Sequence, residues 1–232
     1  MNSQISNLLY YGLPIIGLAI TSLAQLLITS NYSKYKQVAS KSRKTGKEVA
    51  REILDKHGLN NIPVQEVSGN LTDHYDPTKK VVRLSSDIYS GTSIASVSVA
   101  AHECGHAIQD KIGYTPMRIR SKIVPLVNFS TKIGYIVIMI GLILGALKLA
   151  LIGLILLLGM LVFQLITLPV EFDASRRGKI ELDALHILDI DEQKGSAKML
   201  RAAAFTYVAS VLSTFLEILR LALMVIPRSD DR

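Results

Sequence analysis

The chain has 232 residues, a net charge of +7 and a single cysteine. Length alone permits one or two domains, and one cysteine excludes an intramolecular disulfide. The charge would suit nucleic acid, but the basic residues cluster beside apolar runs and follow membrane topology instead, so no nucleic-acid partner is expected.

Residues 8–28 carry no charge and match the ~20 residues that cross a bilayer. No basic leader or small-residue cleavage site accompanies them, which predicts a retained anchor rather than a secretory signal. Six basic residues follow at once (Lys34, Lys36, Lys41, Arg43, Lys44 and Lys47). The positive-inside rule puts that end in the cytoplasm. Residues 33–57 read as one amphipathic basic helix with Val38, Val49, Ile53 and Leu54 on its apolar side, ended by Gly58. Two short β-type runs come next, 62–67 and 80–84, separated by a turn at Asp76-Pro77. Ser85 or Ser86 is placed to cap a short helical segment through Tyr89.

A helix rich in Ala, Ser and Val is predicted over 93–112, ending near Gly113 and Pro116. It carries His102-Glu103-Cys104-Gly105-His106, the pattern H-E-x-x-H. Residues four apart share a helix face, so the two imidazoles can grip one metal ion while Glu103 handles the proton of a water. With 5 His and 8 Glu in the chain, chance yields roughly 0.004 such patterns. Cys104 points off that face and reads as a small buried residue.

A second span is expected at about 133–147, starting as early as 123, and a third at 149–170. The fourth, about 206–226, contains Glu217 and Arg220, spaced to pair with each other. Residues 31–122 carry 15 Lys/Arg and residues 171–206 carry 6, against Lys148 alone between spans two and three. These counts predict a cell-membrane protein with both termini outside and two cytoplasmic segments. The tail residues Arg228, Asp230, Asp231 and Arg232 balance and do not oppose this. The expected organisation is a 1–30 anchor, a cytoplasmic α+β segment 31–122, a hairpin of spans 123–170, a cytoplasmic segment 171–206 and a C-terminal span and tail 207–232. The fold class is a mainly α-helical integral membrane protein of about four transmembrane helices with a small α+β zincin-like cytoplasmic catalytic domain.

Catalytic zinc keeps three protein ligands and a water. His57, His74, His186 and several carboxylates are available for the third place. Glu171, directly after the third span, is the strongest, because a carboxylate at that depth is costly unless paired or metal-bound. Two spans lie between His106 and Glu171 and return the chain to the face it left. The alternative is a simple ion pair of Glu171 with Arg176 or Arg177.

Leu71-Thr72-Asp73-His74-Tyr75-Asp76-Pro77, Val82-Arg83-Leu84-Ser85, Ala100 to Gln109 and Glu171-Phe172-Asp173-Ala174-Ser175-Arg176-Arg177 together resemble the YugP-type membrane zinc metallopeptidases over essentially the whole chain. More distantly the chain looks like the HtpX-type and CAAX-prenyl membrane proteases. The resemblance implies a gluzincin, with His102, His106 and Glu171 on Zn2+ and Glu103 as base. Ser175 departs from the distant relatives, which carry the Asp of Glu-x-x-Ala-Asp there, so Asp173 or another group becomes the expected partner of a ligating histidine.

The expected reaction is hydrolysis of a peptide or protein substrate at the bilayer. His74, Tyr75 and Arg176 are the candidate oxyanion donors, His74 first, with a turn histidine bonded to Asp73 or Asp76 as the rival reading. The rival function is a non-catalytic metal-binding membrane protein or transporter subunit. Glu217 and Arg220 favour it, and the scarcity of polar groups in spans one and three opposes it.

Overall fold

Four helices exceed what a bilayer demands. The computed structural model describes residues 3–225, with side chains from residue 9 onward; the tail charges at 228–232 lie outside them. Helix α1 covers Ser3–Lys36, α5 Thr115–Ile143, α6 Leu147–Ala184 and α7 Ile190–Val225. All four are long and apolar enough to cross a membrane. At 1.5 Å per residue, the 38 residues of α6 extend about 57 Å, nearly twice a ~30 Å hydrocarbon core.

The chain divides into two compact units. One holds α1 up to Gln25, residues 119–168 and α7 from Thr206. Ile138, Leu154, Leu157, Ile218 and Leu221 form its interior, while Leu18, Leu126 and Ile155 point outward, as side chains facing lipid do. Its charged pair is closed within α7, where Arg220 donates to Glu217 at 2.5 and 2.9 Å. The second span stops short of the expected Leu147. Gly145 takes φ +64 and the Ala146 amide bonds Gly141 O at 2.8 Å, a glycine helix stop after Ile143.

The other unit holds residues 26–118 and 169–205. Here α2 (Gly46–Lys56), β1 (Val64–Val67), β2 (His74–Asp76), β3 (Val81–Ser85), α3 (Ser86–Tyr89) and α4 (Ile94–Lys111) follow in order. The sheet runs β1-β3-β2, with β1 parallel and β2 antiparallel to β3. Val82 and Leu84 of β3 meet Ile53, Leu54, Val97, Ala101 and Ile108 in one core.

The single helix expected over 33–57 is two. Thr45 opens α2 with a capping box: its hydroxyl accepts from Glu48 N and the Glu48 carboxylate accepts from Thr45 N. The chain between pairs elsewhere, Ser40 N to Thr92 O and Ile94 N to Val38 O, both 2.8 Å. Ser85 precedes α3 but makes no side-chain cap; its hydroxyl donates to Asp73 instead.

Candidate metal centre

The site is built on one helix pair. Ser93 caps α4 by accepting from Ser96 N at 3.0 Å, and small residues (Ala95, Ala100, Ala101, Ala107) line its buried side. At Gly105 a Cβ would run into the backbone of Ala174, with Cα at 3.1 Å. At Gly178 a Cβ would sit 2.8 Å from Ala101 C and O and 3.0 Å from His102 N. The helices therefore touch backbone to backbone. The pairing of 105 with 174 and 101 with 178 makes them antiparallel and sets the register that brings Glu171 to the histidines.

Gly178→Ala is accordingly expected to destabilise the protein by about 1–3 kcal/mol through overpacking, outweighing the ~1 kcal/mol that alanine gains in a helix. Denaturant unfolding of the purified protein in detergent reads this; an unchanged or raised midpoint would contradict the close contact.

Three donors converge. Glu171 Oε2 lies 3.4 Å from His102 Nε2 and 3.6 Å from His106 Nε2. All three ligand atoms fall within 4.8 Å of one another. A tetrahedral ion with 2.0–2.1 Å arms separates its ligand atoms by about 3.3–3.4 Å, close to the two carboxylate–imidazole separations. Glu171 is 3 % exposed and His106 8 %.

The outer nitrogens are also held. His102 Nδ1 lies 3.1 Å from Ser175 Oγ, and His106 Nδ1 lies 3.0 Å from Gln109 Oε1. Asp173 reaches His106 only through Gln109, which donates to Asp173 Oδ2 at 3.0 Å. Ser175, the point of departure from the distant relatives, thus partners His102 itself. Neither Gln109 nor Ser175 was assigned a role on sequence, although each sits three or four residues from a ligand on its own helix. Arg176 and Arg177 bond Asp173, at 2.6 and 2.5 Å.

Glu103 is buried beside the first histidine, and its Oε2 accepts the Tyr75 amide at 2.9 Å. Burial pushes its carboxyl up to about 7; the charges of Glu171 and Asp73 add to this, and His102 opposes it. Asp73 is also raised by burial, against the bonds it accepts from Ser85. The Tyr75 hydroxyl donates to Asp110 at 2.6 Å, and burial followed by that carboxylate raises its phenol.

His74 lies outside the donor cluster. Its Nδ1 is 2.7 Å from Thr72 O and its Nε2 3.3 Å from Arg83 Nη1. A carbonyl on one side and a guanidinium on the other leave it no N–H to offer a substrate, and its turn partners are not Asp73 or Asp76. His57 Nε2 pairs with Glu181 Oε1 at 2.9 Å, and His186 is exposed; neither joins the cluster.

The family described as "Putative neutral zinc metallopeptidase" matches residues 10–226. The chain is 44 % identical over 224 residues to "Putative membrane protease YugP" of Bacillus subtilis (strain 168), covering 97 % of this chain and 100 % of that protein. No solved structure matches it. A family match across nearly all of the chain, joined by a relative this similar along its full length, makes the chain a member of this zinc metallopeptidase family.

Proposed function

We propose that the protein is a zinc-dependent endopeptidase of the membrane, with His102, His106 and Glu171 as metal ligands and Glu103 as general base. The convergence of two imidazoles and a buried carboxylate beside Glu103 carries this reading. Bound zinc supplies Lewis acidity, polarising a carbonyl and acidifying a water. Glu103 takes the proton of the attacking water and returns it to the leaving amine. Glu103 is buried beside His102, where a carboxylate can both accept a proton and release it. The substrate class is peptide or protein, in membrane protein processing or quality control.

The assay is cleavage of casein or a membrane-protein substrate by the full chain in detergent. Cleavage lost to a zinc chelator and restored by zinc supports the proposal; cleavage indifferent to the chelator overturns it.

We also propose that the site faces the cytoplasm. Six basic residues in 34–47 favour it. Because Cys104 is buried, a cysteine placed at exposed Lys79 is the one accessible thiol among the described residues. An impermeant maleimide should label it only in opened cells; labelling of intact cells reverses the topology.

A further inference from the structure

Gln109 is fully buried and sits between the two helices of the site. Its Nε2 donates to Val170 O at 2.8 Å and to Asp173 Oδ2 at 3.0 Å. A backbone carbonyl and a carboxylate are both acceptors only. Asp173 is itself anchored by Arg176 and Arg177. The carboxamide therefore cannot turn over: its nitrogen belongs to α6 and its oxygen to His106 Nδ1, 3.0 Å away. An amide oxygen only accepts, so Nδ1 of His106 must carry hydrogen. In the neutral imidazole that leaves the lone pair on Nε2, the atom directed at Glu171. His102 is held differently. Ser175 Oγ both donates and accepts, so it dictates no tautomer.

We propose that Gln109 is a positioning residue that locks His106 in its metal-binding tautomer, with Asp173 holding the lock. This rests on His106 being a ligand, as in the proposed function. Outer partners of this kind are worth about 10–100-fold in metal affinity.

The test is zinc affinity, read by chelator competition on the full chain in detergent, beside the unfolding midpoint of each metal-free variant. Gln109→Met nearly conserves volume and removes both ends of the amide. It should weaken zinc by about 10–100-fold, and Ser175→Ala by less. A Gln109→Met protein that is less stable without metal yet binds zinc as the wild type does would reduce Gln109 to a helix tie and overturn the inference. So would an equal or larger loss in Ser175→Ala. If Gln109→Met does not fold, Gln109→Leu, which likewise lacks both ends of the amide, takes its place; unchanged zinc affinity there is also overturning. His106→Ala separates the two levels. If it binds zinc like the wild type, the ligand set itself fails; if it loses zinc while Gln109→Met does not, only the lock fails.

Discussion

Glu103→Gln is expected to retain the metal and to lower peptide hydrolysis by about 10²–10⁴-fold, the usual contribution of a positioned general base. The substitution keeps shape and removes the proton acceptor, and no ligand atom changes. Zinc content and cleavage rate, measured on one preparation, check it: full activity in the variant would sink the mechanism. A second readout comes from burial. Glu103 rises from the ordinary 4.5 to about 7 in the folded chain. A raised carboxyl contributes stability in full below the unfolded value and loses it as pH climbs through the folded one. The metal-free wild type should therefore lose roughly 3 kcal/mol between about pH 4.5 and 7 relative to Glu103→Gln, whose amide does not titrate. Parallel stability curves across that window would mean Glu103 is not desolvated.

What the sequence revealed depended on how locally each feature is encoded. H-E-x-x-H is a helix-face pattern, and α4 begins at Ile94 and ends at Lys111, one residue inside each expected bound, because Ser93 caps it and Gly113 (φ +68) follows. The spans were legible by apolarity. Their extensions were not: α6 runs on to Ala184 and α7 starts at Ile190, through charged residues that hydropathy reads as the end of a span. The break between α1 and α2 was written in Thr45 and Glu48 as a capping box but hidden by the amphipathic run around it. Strand β2 is three residues long with Tyr75 alone buried, too short for a periodicity to be found. Only its antiparallel register with β3 places the Tyr75 amide on Glu103. Gln109 and Ser175 belong to the same class. Their roles come from the helix register, which hangs on backbone contact at Gly105 and Gly178, and no single-residue signal announces that.

Glu171→Ala carries the other large expected effect. In the proposed ligand set Glu171 is the sole anionic donor, and it comes from α6, whereas both histidines belong to α4. Without it two imidazoles remain, too few for the three protein ligands that a catalytic zinc keeps. The loss in zinc affinity should exceed the ~10–100-fold expected for an outer partner, and cleavage should fall below detection at stoichiometric zinc. Glu171→Gln separates charge from shape: it keeps an oxygen in place but gives up the anion, and it should also bind zinc more weakly than any outer-partner variant. The contrast with Glu103→Gln is decisive, since that variant loses turnover with the metal retained whereas this one loses the metal first. Zinc content after gel filtration, with the unfolding midpoint as the control for folding, distinguishes them. A folded Glu171→Ala protein that holds stoichiometric zinc would remove Glu171 from the ligand set. The third donor would then have to be sought among other carboxylates, such as Asp73, whose charge already acts on Glu103.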